Sequence, residues 1–115
     1  MSHLPTNAKA TRIAELNDLA RTAMDGTCQV IVTRGIANLP LEDCWMILRK
    51  VREYGAFSED NDPYGERDFG AFTHRDQKIF WKIDYYAPDL MHGSEDPTDP
   101  AQTVRVLTIM LASEY

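Results

Sequence analysis

Ile79-Phe80-Trp81-Lys82-Ile83-Asp84-Tyr85-Tyr86 is the densest aromatic run in the chain. Strict alternation splits it into two sets, since successive strand residues point to opposite faces. Ile79, Trp81, Ile83 and Tyr85 form the apolar set and predict a core face. Phe80, Lys82, Asp84 and Tyr86 form a half-polar set that suits a partner. Phe69-Gly70-Ala71-Phe72-Thr73 lies just upstream, and Arg75-Asp76-Gln77 between the two runs has turn chemistry. The two runs therefore read as a β-hairpin, with strands over 69–73 and 78–86. Before it comes an acidic loop, Glu59-Asp60-Asn61-Asp62-Pro63-Tyr64-Gly65-Glu66-Arg67-Asp68, whose Asp-Pro-Tyr-Gly has the residues of a tight turn.

Upstream, residues 1–5 read as a loose end. A helix follows from about Thr6 to Ala23, with Ile13, Leu16, Ala20 and Ala23 on one face, Leu19 broadening it, and Arg12, Glu15, Asp18 and Arg21 opposite. Asp25-Gly26 is a stop signal. Cys28–Arg34 reads as a strand covered on both sides, because its apolar residues are nearly continuous. A second helix begins near Pro40, with Asn38 as its cap. Leu41, Cys44, Trp45, Leu48 and Val51 make a stripe that places Trp45 in the core, and Gly55 marks the stop. Residues 87–99 form a loop of unusual length. In 100–115 two readings compete. Asp99-Pro100 suits a helix start, and Val104, Leu107, Leu111 and Tyr115 keep helical spacing. Val104–Ile109 also suits a strand, and the helix is preferred.

The expected fold is α+β in one domain, in the order α-β-α-β-β-α, with a small, mainly antiparallel sheet packed by helices chiefly on one face. The 115 residues, 43% hydrophobic and 26% charged, are ordinary for one soluble domain. No run approaches the roughly 20 apolar residues of a membrane span. No secretory signal pattern precedes the first helix, so the expected location is cytoplasmic. Cys28 and Cys44 form no CxxC pair and read as reduced thiols in apolar settings.

The net charge of −6 is uneven. Residues 1–55 hold seven Lys/Arg against six Asp/Glu, and residues 56–115 hold five against twelve. Such a surface repels phosphate backbones and disfavours direct nucleic-acid binding, while it attracts basic protein surfaces.

Four segments carry a resemblance: Asp60-Asn61-Asp62-Pro63, Asp68–Phe72, Phe80–Tyr86 and Val106–Ala112. Over about residues 11–115 the chain resembles a family of small bacterial proteins defined by a domain of unknown function, whose members often end, as here, in Ala-x-Glu-Tyr. The resemblance implies a mobile-element setting beside anti-restriction and plasmid-maintenance genes, and hence an accessory or anti-defence role. It supplies no active-site residues. Family members often carry histidines at the positions of Tyr64 and Arg67, so this chain departs from any histidine-based metal site there.

Asp60-x-Asp62-x-Tyr64-Gly65-x-x-Asp68 overlays the start of a calcium loop. It fails where Tyr64 and Ala71 replace oxygen ligands. A weaker divalent site from Asp60, Asp62, Glu66 and Asp68 is the alternative, and with Asp84 it would serve a small metal-dependent hydrolase. Lys82 lacks the upstream acid of nuclease strands and reads as an ion pair with Asp84. His3, His74 and His92 lack zinc spacing; His74 reads as a turn residue and His92 as a loop residue. No phosphate loop, dinucleotide fingerprint or nucleophile elbow is present, and no cofactor is expected.

The function expected is a non-enzymatic protein-binding module. Its partner-binding residues are Glu59, Asp60, Asp62, Glu66, Asp68, Phe80, Lys82, Asp84 and Tyr86. The partner is a basic or nucleic-acid-binding protein, and the carboxylates stand in for phosphates.

Overall fold

The aromatic run forms strand β3 (Gln77–Tyr86), an inner strand of a four-stranded sheet. Its neighbours are β2 (Phe69–His74) and β4 (Val104–Leu111), both antiparallel to it, and β1 (Gln29–Val32) pairs parallel with β4 at the far edge. The order is β1-β4-β3-β2. The computed structural model describes residues 4–24 and 28–115. Three helices complete it: α1 (Leu4–Ala23), the short α2 (Arg34–Ala37) and α3 (Leu41–Arg52).

The hairpin turn is tighter than expected. His74 and Gln77 already pair, and only Arg75 and Asp76 turn, with φ of 48° and 69°. Two successive left-handed residues match the strand twist best, which sets the register. The alternation holds: Ile79, Trp81 and Ile83 are buried under the helices, and Phe80, Lys82, Asp84 and Tyr86 take the other face.

The expected C-terminal helix is a strand. Val104–Leu111 lies between β1 and β3, with a 3-10 turn on either side, Pro100–Gln102 and Ala112–Glu114. Leu107 and Ile109 are buried on the helix side, and Val106 and Met110 on the other. A strand buried on both faces is apolar throughout, and the helical spacing of Val104, Leu107 and Leu111 follows from that continuity. The element order is therefore α-β-α-α-β-β-β, and the sheet is mixed because β1 and β4 run parallel.

β1 also differs. It is an edge strand, and all four of its residues are exposed, where cover on both sides was expected. In α1 the buried face is rotated: Ile13, Ala14, Asn17, Ala20 and Arg21 are buried, while Leu19 and Ala23 are exposed. The helix begins at Leu4, so Thr6 is not its cap and Leu4 and Pro5 are not loose; residues 1–3 lie outside the described residues. The Asp25-Gly26 stop signal lies outside them as well. In α3 the core contact is Ile47 and Val51, half-buried Cys44 and Leu48 flank them, and Trp45 is 63% exposed. Pro40, not Asn38, precedes α3; Asn38 closes α2. Acidic Glu42 and Asp43 at the start of α3 and Arg49, Lys50 and Arg52 at its end complement the helix dipole.

One core joins Ala20, Cys28, Ile36, Ile47 and Val51 to Ile79, Trp81, Ile83, Leu107 and Ile109. All three helices thus pack on one face of the sheet. No described helix is long and apolar enough to cross a membrane.

The terminal Ala-x-Glu-Tyr has a structural role. Glu114 accepts from the Thr33 hydroxyl at 2.5 Å, the Gly35 amide at 2.9 Å and the Leu111 amide at 2.9 Å, and so joins the end of β4 to the entry of α2. A side chain at Gly35 would run into Leu111 and Glu114. These hydrogen bonds, the one from Thr33 first, hold the Glu114 carboxyl below its ordinary value. A depressed carboxylate stabilises the fold above its unfolded pKa, and that stabilisation disappears as pH falls through the folded value. Glu114→Gln should therefore lower the melting temperature at pH 7 more than at pH 3, as measured by thermal melts at both. Equal shifts at the two pH values would contradict this role.

Candidate functional site

The face opposite the helices is the surface that the alternation of β3 singles out. Register places its residues in rows across the sheet: Phe69 beside Lys82, Thr108 and Ile31; Phe80 beside Met110; Asp84 beside Val106 and Gln29; Tyr86 beside Val104. Lys82 Nζ meets Asp84 Oδ2 at 2.6 Å, the ion pair expected from the sequence. The hydrogen bond that Lys82 donates to Asp84 is the chief cause that raises the ammonium above its ordinary value, with Tyr86 and Tyr115 contributing. Phe80 does not stand alone. Its ring lies 5.2 Å from Phe69 and 5.6 Å from Tyr115, in a three-ring cluster closed by the C-terminal tyrosine. Tyr86 and Tyr115 are the exposed aromatics of this face.

The acidic loop is divided. Glu59 and Asp60 are exposed at its tip. Asp62 accepts the Arg67 amide at 3.1 Å and so shapes the loop. Glu66 turns inward, where its backbone oxygen accepts from Asn17 Nδ2 at 2.9 Å and its carboxylate from the Tyr85 hydroxyl at 3.0 Å. Asp68 is half-buried, and desolvation first, then the Glu66, Asp62 and Asp84 charges, raises its carboxyl above the usual range. The nine predicted partner residues are therefore not one cluster, and Glu59, Asp60, Asp62 and Asp68 stay in the loop. Phe80, Lys82, Asp84 and Tyr86 share the face, and Glu66 joins the network under α1. Among the described residues, no group of three or more His, Cys, Asp or Glu is placed to hold a metal ion.

The network under α1 escaped the sequence reading. Asn17 is fully buried at its centre, donating to Glu66 and, at 2.8 Å, to the Tyr85 hydroxyl, and accepting from Arg105 Nε at 2.6 Å. Burial first lowers the Arg105 pKa and raises that of Tyr85. Arg105 also donates to the Pro97 carbonyl at 2.6 Å, which anchors the long 87–103 loop. One turn along α1, buried Arg21 donates to the Val51 carbonyl at 2.8 Å and lies over the Trp81 and Phe57 rings. Asn17 and Arg21 are four apart and share a face with Ile13 and Ala20. That spacing was the available signal, masked by the assumption that polar residues face water.

His74 is not a turn residue. It is 4% exposed, with Nε2 2.8 Å from Asp43 Oδ1 and Nδ1 3.2 Å from Lys50 Nζ. An ammonium only donates, so Nδ1 is the acceptor and Nε2 carries the proton toward Asp43. The hydrogen bonds from His74, then Arg75, hold Asp43 below the usual carboxylate range. The order Asp-His-Lys resembles part of a catalytic relay, but a relay needs a nucleophile beside the imidazole, and the ammonium fills that place. Nearby Cys44 directs its thiol to the Ile36 carbonyl at 3.2 Å. The arrangement ties the hairpin tip to α3.

These features define a class: an α+β protein with a four-stranded mixed sheet, three helices on one face and a polar-aromatic surface on the other. The chain belongs to the DUF3768 family of proteins of unknown function, whose model matches residues 32–114. That span takes in α2, α3 and β2–β4, the strands that build the surface, and ends at Glu114. No curated protein and no solved structure matches the chain.

Proposed function

We propose that this chain is a non-enzymatic protein-binding module that engages a basic protein surface with the face of its sheet opposite the helices. The observation that carries the reading is the segregation of all three helices to one face. It leaves Lys82, Asp84, Tyr86 and Tyr115 together on the other, beside an acidic half of the chain. Lys82 is already neutralised by Asp84, so the field over this face is set by the surrounding carboxylates, and a basic partner is drawn to it. Tyr86 and Tyr115 supply the aromatic contacts that anchor interfaces. The resemblance to mobile-element proteins narrows the proposed target to a nucleic-acid-handling host protein, such as a restriction or CRISPR component, toward which the carboxylates act as phosphate mimics.

Charge reversal tests this, and the fold dictates which acids to reverse. Asp62 and Glu66 hold the loop together, whereas Glu59 and Asp60 sit exposed at its tip. Glu59→Lys with Asp60→Lys should leave the melting temperature unchanged and weaken capture of a basic partner roughly tenfold, with the largest effect at low salt. Unchanged capture would rule out the electrostatic half of the proposal.

A further inference from the structure

The two edges of the sheet are not equivalent. At the β2 edge, Lys50 extends its ammonium to the Thr73 carbonyl at 3.5 Å, and a lysine across an edge discourages pairing with another strand. At the β1 edge, Gln29-Val30-Ile31-Val32 carries no charge and no proline, no element among the described residues covers it, and Val30, Ile31 and Val32 are 39%, 48% and 40% exposed. The backbone groups open at this edge can be assigned. Thr33 donates its amide to the Ile109 carbonyl at 3.0 Å, so in parallel pairing the odd residues bond to β4, and Val30 and Val32 turn their amides and carbonyls outward. Their side chains lie beside Leu107 and Ile109 on the helix side. A groove of about 290 Å³ along α1, lined by Leu16, Leu19, Ala20 and Ala23 with Thr103 and Arg105, adjoins the point where Cys28 Sγ meets the Ala20 carbonyl.

The geometry points to a second copy of this chain as the occupant of the β1 edge, paired antiparallel about a two-fold axis. Val30 of each copy faces Val32 of the other, and Ile31 faces its own counterpart. The two outward residues then exchange four N–H···O bonds, because their donors and acceptors are self-complementary under a two-fold rotation. Charge selects the same occupant. Gln29-Val30-Ile31-Val32 has no charge for a charged partner to recognise. Residues 1–55 are nearly neutral, so two copies can meet here while their acidic halves point away. The product is a continuous eight-stranded sheet with both partner-binding faces on one side. This inference does not depend on what that face binds.

Light scattering after size exclusion, at about 100 μM protein, tests it. The expected mass is twice the 13.1 kDa of the chain. Val32→Lys, at an exposed position, should return the mass to that of one chain and raise the dimer dissociation constant at least tenfold, with an unchanged circular dichroism spectrum. A second measurement uses the unaltered protein: amide exchange at Val30 and Val32 should slow as concentration rises. A single-chain mass at about 100 μM, a dimer that survives Val32→Lys, or exchange at these amides that ignores concentration would each overturn the proposal. The single-chain mass would leave the edge to a strand from another protein.

Discussion

Trp81→Ala is expected to cost about 3–5 kcal/mol, a large share of the stability of a domain this size. The indole is fully buried in the centre of β3. It takes the edges of Tyr54 at 5.5 Å and Phe57 at 6.1 Å, with the Arg21 guanidinium 5.2 Å from its centroid. Removing it opens a cavity where α1, α3 and the sheet meet, and takes from Arg21 one of the two rings it lies over. Its cross-strand neighbour gives an independent check. Gly70 faces Trp81 across the β2–β3 pair, and any Cβ there would overlap the indole. Gly70→Ala should therefore cost about 1–3 kcal/mol through overpacking, although alanine is otherwise at least as good a strand residue. Urea unfolding of both variants reads these values. Trp45→Ala, at the exposed tryptophan, should fall within about 0.5 kcal/mol of the unaltered chain. A cost at Trp45 that matched Trp81 would contradict the packing described.

The second large effect lies at Asn17. Asn17→Leu should cost about 2–4 kcal/mol, because it strips one hydrogen bond each from the buried Arg105 guanidinium and the Tyr85 hydroxyl. A leucine suits a buried helix position by size and hydrophobicity, so a small cost would mean that the polar network contributes little. The network makes a sharper statement as well. With Asn17 gone, Tyr85→Phe should cost less than it does alone, since the hydroxyl has already lost its donor, and the coupling should fall in the range of about 0.5–3 kcal/mol. Additive costs would show that the two residues do not act together.

Much of the architecture could be read from residue alternation. The split of β3 into Ile79, Trp81 and Ile83 against Phe80, Lys82, Asp84 and Tyr86 is physical, because a strand in a half-covered sheet must segregate its side chains. It located both the core and the candidate surface, and the Lys82–Asp84 pair followed from it. Alternation misleads where burial does not follow hydrophobicity. β4 is covered on both faces and lost its alternation, so its spacing imitated a helix. β1 is equally apolar but lies at the edge, and composition alone does not separate an inner strand from an edge strand. In α3 the stripe holds at Cys44, Leu48 and Val51, but exposed Leu41 and Trp45 stood in it where buried Ile47 belongs. The acidic loop read as uniform because sequence shows charges and not their partners. Glu59 and Asp60 face water, while Glu66 is held by Asn17 and Tyr85, residues 49 and 19 positions away. His74 was missed for the same reason: its Asp43 partner lies 31 positions upstream on another element.

The central claim is that partners meet the face opposite the helices, and a comparison of faces tests it most directly. Three forms of the chain would be immobilised: the unaltered protein, Tyr86→Ala with Tyr115→Ala on the sheet side, and Leu41→Ser with Trp45→Ser on the exposed flank of α3. Basic proteins retained at low salt would be measured by quantitative mass spectrometry. The prediction is a protein that binds the unaltered and α3 forms equally and is lost at least tenfold from the sheet-side form. A protein that is lost from the α3 form and kept by the sheet-side form would show that the helices carry the interface.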